Sequence, residues 1–180
     1  MRYAGIDKCE LCNGNDIGVS LYVQGCDTHC TGCFNPETWS FDGGFLWTNT
    51  VADDFFSMID KPYIKRVSFL GGEPLDRNNI RVVASLILYI NNNFPDKKVW
   101  LYTGCIFEKL LETVNLTDDS YSLYLYSILH MIDYIVEGPF ELDKRDTTLA
   151  FRGSSNQRII DMQKSFREKK ICLYEEEEGE

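Results

Sequence analysis

The sequence predicts an α/β fold in which a parallel sheet winds into an open, partial (β/α) barrel. Three observations carry this. Short β-branched or aromatic runs alternate with longer helical patterns, the mark of βαβ units feeding a parallel sheet. Four consecutive runs end in glycine, at "QGC", "GGEP", "YTGC" and "EGP", as expected where strand ends let backbone approach a ligand. The chain has 180 residues, whereas a complete (β/α)₈ barrel takes about 250.

The elements follow in order. A first strand is expected at residues 17–24, then a helix over 50–59 with Thr48 or Asn49 as its cap. A second strand covers 66–70, and the helix after it, 78–92, is stopped by "NNNFPD". The third strand, 98–102, leads to a helix over 106–113. In "YSLYLYSILHMIDYIV" the apolar residues are too dense for a simple surface helix. A core-packed helix over about 120–131 is expected there, with His130 in a structural role, followed by a strand at 133–137. "FRGSSNQRIID" reads as a polar loop leading into a strand. There is no internal repeat and no low-complexity linker. One domain is therefore expected over residues 1–174, with an N-terminal extension at 1–15 and an acidic tail at 175–180.

A formal net charge of −10 argues against a nucleic-acid or anionic-membrane partner. The N-terminus lacks the basic segment and apolar core of a signal peptide. The longest apolar stretch, "VVASLILYI", is far too short to span a bilayer. A cytoplasmic protein is expected. Seven cysteines in such a chain favour metal or redox chemistry over a disulfide framework.

Two metal sites compete for those cysteines. Cys9 and Cys12 form one C-x-x-C pair, Cys30 and Cys33 another, at a spacing that suits a tetrahedral zinc site. That leaves Cys26 unexplained and gives the glycine-tipped strands no role. The alternative takes Cys26, Cys30 and Cys33 as one C-x₃-C-x₂-C site. Three thiolates on a tight loop would hold three irons of a [4Fe–4S] cluster and leave the fourth open to another ligand. Spacing alone does not decide between the two. Neither site needs His29, which is expected to be an ordinary loop side chain.

C-x₃-C-x₂-C followed by "GGEPL" resembles the radical S-adenosylmethionine superfamily. Within it, "VQGCDTHCTGCFNPETWSFDGG", "FLGGEPL", "LYTG", "EGPF" and above all "FRGSSNQRIID" resemble the activating enzymes of anaerobic (class III) ribonucleotide reductase. The resemblance runs from about Asp16 to Asp161. It implies a radical SAM type of partial barrel and a [4Fe–4S] cluster on Cys26, Cys30 and Cys33. It also implies S-adenosyl-L-methionine on the open iron. Reductive cleavage would yield a 5′-deoxyadenosyl radical that takes a hydrogen atom from a glycine of the reductase large subunit. A low-potential donor such as flavodoxin or ferredoxin would supply the electron. Gly71, Gly72 and Glu73 would meet the methionine amino group, although a simple turn closed by Pro74 would leave the same sequence. Gly32 and Phe34 flank the last cysteine, where the adenosyl portion would lie. Tyr102, Thr103 and Gly104 would join that pocket. Arg152 and Arg158 are candidate anion or carbonyl partners.

The sequence also departs from the pattern. Gly32 stands where many superfamily members carry an aromatic residue, and Phe34 would supply the ring instead. "CELCNGNDIG" replaces the usual glycine-proline entry and adds Cys9 and Cys12. These two, with Cys105 and Cys172, are expected to be ordinary thiols. Two other functions compete. One is a different small radical SAM enzyme, either another glycyl-radical activase or a deazapurine synthase. The other is a zinc-binding module, for which Cys26 would be dispensable.

Overall fold

The most continuous apolar runs form the centre of the sheet. In a computed structural model, which describes residues 1–116 and 119–175, the strands are β1 (Arg2–Glu10), β2 (Gly18–Val23), β3 (Phe45–Leu46), β4 (Arg66–Gly71), β5 (Lys98–Tyr102), β6 (Tyr134–Glu137) and β7 (Arg158–Asp161). They form one mixed sheet in the order β3-β1-β2-β4-β5-β6-β7. The helices are α1 (Asn49–Ile59), α2 (Ile80–Asn93), α3 (Phe107–Leu116), α4 (Ser120–Met131) and α5 (Met162–Glu168).

The expected parallel sheet holds for β2, β4, β5 and β6 and needs correcting at both edges. Strand β1 pairs antiparallel with β2 and β3, and β7 pairs antiparallel with β6. Connection length is the reason at the first edge. Glu10 and Gly18 are paired neighbours, and the chain between them is too short for a crossover, which takes a dozen or more residues. Residues 2–10, set apart in sequence as part of an extension, thus supply a sheet strand. Their mixed polar and apolar pattern hid it.

Strand alternation divides the molecule into two faces. Leu21, Phe69, Leu101 and Ile135 point to the helices, where they meet Phe55, Ile59, Ile87, Ile90, Phe107, Leu125 and Ile128. The opposite face carries Ser20, Arg66, Ser68 and Trp100. Among the described residues the apolar cluster around Trp100 holds no helix residue; it packs with Val136, Ile159, Phe151 and Tyr174. The functional cavity opens on this second face.

Helix ends are fixed by their caps. The Thr48 side chain accepts from Val51 N–H, and Asp119 accepts from Ser122 N–H. Helix α4 buries Ser122, Leu125, Ile128 and Leu129 as expected, but Leu123 and Tyr126 are 64% and 51% exposed. His130 is at the surface, stacked on Phe166 with Nδ1 2.8 Å from the Tyr126 carbonyl oxygen. Among the described residues, no helix is long and apolar enough to cross a membrane. Of the expected acidic tail, residues 176–180 lie outside the described residues.

Candidate iron–sulfur and cofactor site

Strand β2 runs directly into the cysteine loop, and the loop is stapled before it turns. Gln24 donates from Nε2 to the Glu37 and Ser40 carbonyls, at 2.9 and 2.8 Å. Gly25 N–H reaches Thr38 O and Cys26 N–H reaches Trp39 O. Between the last two cysteines the backbone turns at Gly32, with φ of +75°. Any side chain there would be strained, and its Cβ would come within 2.9 Å of Leu142 Cδ1. His29 also has positive φ and lays its ring 4.6 Å from that of Trp39.

Cys26, Cys30 and Cys33 all line one cavity of about 490 Å³. The next strand closes its side. Gly72 N–H donates to Val23 O and Glu73 N–H to Gly25 O, both at 2.8 Å, so the "GGE" end is bonded to the start of the cysteine loop. Glu73 is buried and accepts from Leu75 N–H at 3.0 Å, Thr103 Oγ1 at 2.9 Å and Gly104 N–H at 2.9 Å. Burial pushes its carboxyl above the ordinary value despite these bonds. Asn79 ties in the start of α2, donating to Gln24 O and Glu73 O at 3.0 Å each.

A buried cation behind the cavity holds part of its wall. Arg66 is fully buried and donates to the carbonyls of Asn13, Asn15 and Glu10, while its Nη1 lies 2.7 Å from the Glu10 carboxylate. This clamp folds residues 10–16 across the helix-free face. It brings Cys12 and Asn13 to the cavity wall. The far wall is the loop between β6 and β7. There Gln157 Oε1 accepts from Gly153 and Ser154 N–H at 2.9 and 3.2 Å, and Nε2 donates to Gly138 O at 3.1 Å. Asn156 donates to Pro139 O at 2.8 Å. The polar "RGSSNQ" stretch therefore staples its own loop.

The structure gathers most of the residues singled out in sequence. Phe34, Gly71, Gly72, Glu73, Tyr102, Thr103, Gly104 and Arg152 line the same cavity as the three cysteines. Two are placed otherwise. Gly32 is absent from the lining and serves the turn. Arg158, expected as a cofactor partner, does not line the cavity. Its guanidinium is bound to Glu137 and, by two bonds at 3.0 and 2.7 Å, to Glu108. Sequence reasoning missed Trp39, Cys12, Asn13 and Phe140 as wall residues. Two of them had a signal: Trp39 stands shortly after the last cysteine of the loop, and Phe140 follows the glycine-tipped strand end in "EGPF".

The donor set fits an iron–sulfur cluster better than a single ion. Burial pushes the Cys30 thiol up, the Phe140 amide opposes this, and Cys33 and Cys26 push it further. Three cysteine sulfurs brought to one cavity can serve as thiolate ligands of a metal centre. Among the described residues, no three side chains of His, Cys, Asp or Glu converge closely enough to hold one metal ion. The two C-x-x-C pairs are not brought to one place: Cys12, Cys30 and Cys33 line the cavity together with Cys26, whereas Cys9 does not line it. The wall also fits an acceptor-rich cofactor. Trp39 Nε1, Tyr102 Oη and Arg152 Nε are buried without a partner, and all three residues line the cavity. Such unsatisfied donors mark a place where a ligand completes the bonding.

Comparison with known proteins follows the same line. Residues 12–160 match the family described as a 4Fe-4S single cluster domain. An anaerobic ribonucleoside-triphosphate reductase-activating protein of Enterobacteria phage T4 is 32% identical over 88% of this chain and 93% of its own length. The chain belongs to the family of anaerobic ribonucleoside-triphosphate reductase-activating proteins. Members of that name from Vibrio cholerae and Escherichia coli K12 are 33% and 30% identical, each over 88% of this chain and 97% of the relative. The match to the 4Fe-4S single cluster domain family, residues 12–160, takes in the cysteine loop, the "GGE" strand end and the "RGSSNQ" loop, three parts that line the cavity.

Proposed function

We propose that the protein reductively cleaves S-adenosyl-L-methionine at a [4Fe–4S] cluster held by Cys26, Cys30 and Cys33, and so places a glycyl radical on an anaerobic ribonucleotide reductase. The observation that carries this is the meeting of the three-cysteine loop and the buried Glu73 on one cavity. On this proposal the glycine-tipped parallel strands and the helix-free face are the inside of an open, partial barrel of radical SAM type, and residues 1–174 act as one domain.

When bound, the reduced cluster would supply one electron to the cofactor's sulfonium, whose C–S bond would break to release methionine and a carbon radical able to take a hydrogen atom from a glycine. The chain does the rest. Its three thiolates hold three irons. Glu73, with Gly71 and Gly72 beside it, receives the methionine ammonium. Arg152 offers a guanidinium to the carboxylate. Tyr102 and Trp39 donate to ribose or base acceptors. Thr103 and Gly104 hold Glu73 in place, while Phe34 and Phe140 make an aromatic wall beside the site. Seven free thiols suit a reducing cytoplasm. The electron comes from a low-potential protein such as flavodoxin or ferredoxin.

The test is anaerobic iron–sulfur reconstitution followed by low-temperature electron paramagnetic resonance of the reduced protein. The expected result is a reduced-cluster signal that changes when S-adenosylmethionine is added. Addition of the reductase should then give a glycyl-radical signal. Bound zinc without iron, or a cluster indifferent to the cofactor, would overturn the proposal.

A further inference from the structure

An asparagine just before a helix usually caps it, its side-chain oxygen accepting from one of the first free amides. Asn79 stands at that position of α2 and makes no side-chain cap bond. Backbone carbonyls meet the first amides instead, Asp76 O taking Ile80 N–H at 2.8 Å and Asn79 O taking Val82 N–H at 3.0 Å. Asn79 is fully buried, and among the described residues its Oδ1 has no partner. A buried acceptor left open in this way is destabilising. The bonds that account for this residue are therefore those of its amide nitrogen.

Nδ2 donates to Gln24 O and to Glu73 O, both at 3.0 Å. These carbonyls belong to different halves of the site. Gln24 leads into the cysteine loop and holds the return of that loop through the Glu37 and Ser40 carbonyls. Glu73 carries the buried carboxylate beyond β4. One carboxamide, 55 residues from the first carbonyl and six from the second, thus joins both. It reinforces two backbone bonds between the same halves, Gly72 N–H to Val23 O and Glu73 N–H to Gly25 O. Asn79 itself does not line the cavity.

We infer that Asn79 is a positioning residue: its amide fixes Glu73 in place relative to the cysteine loop, and so sets how tightly the site takes the ammonium of its cofactor. An acceptor that is free to shift loses that freedom on binding, which weakens affinity, whereas one held beforehand does not. The helix needs no such amide, since its first turn is met by backbone. The inference rests on the function proposed above and assigns that site a residue outside its wall.

The experiment uses the full chain, reconstituted with its cluster. Asn79→Ala loses both bonds, and Asn79→Ser loses the amide while keeping a residue type that caps helices well. Both should take up iron as the wild type does. In the reduced proteins, the change in electron paramagnetic resonance should need about tenfold more S-adenosylmethionine for half its extent. Cleavage at saturating cofactor should stay within about twofold of the wild-type rate. A merely structural role would instead lower the rate at saturation and leave KM unchanged. Thr48→Ala, which weakens α1 at its cap, should not move the half-saturation point. A second measurement needs neither cluster nor cofactor. In the cluster-free chain, the Gly72 and Glu73 amides should exchange with solvent about tenfold faster in Asn79→Ala than in the wild type. An unchanged half-saturation point in both cluster-loaded variants overturns the inference, and so does unchanged exchange at Gly72 and Glu73. Failure of both variants to fold overturns it too, by making Asn79 a residue of the fold alone. A wild-type signal indifferent to S-adenosylmethionine, with exchange still faster in Asn79→Ala, would instead overturn the functional reading on which the inference rests.

Discussion

Glu73 is a carboxylate set against its surroundings. It is buried, which disfavours its charge, and the three donors from Leu75, Thr103 and Gly104 offset that only in part, so its carboxyl stays above the ordinary 4.5. The folded protein therefore holds this proton more tightly than the unfolded chain. Stability from this group is complete below pH 4.5 and falls as pH rises through the raised folded value. Urea unfolding across a pH series should show the wild type losing stability relative to Glu73→Gln as pH increases from the acid side. Parallel pH profiles would contradict the assignment. A bound ammonium would reverse the penalty, which is why this carboxylate suits the cofactor proposed above. The cysteines give the second prediction at this scale. Cys26→Ala, Cys30→Ala and Cys33→Ala should each lose iron on reconstitution. Cys9→Ala and Cys172→Ala, away from the cavity, should retain the wild-type iron content by colorimetric assay.

Among the elements, the segment before β2 depends most on a single residue. Arg66 joins β4 to residues 10–16, and Glu10, held below its ordinary value by Arg66 and Ser20 against the pull of burial, is its counter-ion. Removing the guanidinium strands a partly buried carboxylate and several carbonyls. Arg66→Met should destabilise the fold by about 3–5 kcal/mol in denaturant titration. Gly14 belongs to the same clamp. Its φ is +125°, and a Cβ added there would lie 2.6 Å from Arg66 Cδ and 2.7 Å from Trp100 Cδ2. Gly14→Ala should thus also destabilise, and a neutral result would mean that the clamp does not bear on the fold. Thr48→Ala, which removes only the cap of α1, should cost about 1 kcal/mol. The four central strands and four of the helices could be read from sequence because their apolar periodicity is strong. Strand β1 and helix α5 could not. The one has a polar edge sequence, and the other is a single short segment of seven residues.

At the scale of the whole molecule, the cavity joins parts that are far apart in the chain: the cysteine loop, the ends of β4 and β5, the Arg66-clamped segment and the loop between β6 and β7. Binding a cluster should stiffen these parts together. Hydrogen exchange of reconstituted and cluster-free protein should differ over residues 24–40 and 138–157, while β4 and β5 remain alike. Uniform exchange in both forms would mean that the loops are ordered without it. By itself, the sequence determined the three-cysteine motif, the glycine-tipped strands and the family resemblance, because these are local patterns of residue type and spacing. Glu73 and Arg152, named from sequence as cofactor partners, line the cavity. Only the tertiary structure decided that Arg158 is bound to Glu137 and Glu108, that Cys12 and Trp39 reach the wall, and that both sheet edges run antiparallel. Those outcomes depend on which donor meets which acceptor across long chain separations. Such pairing is a property of packing, and residue spacing does not encode it.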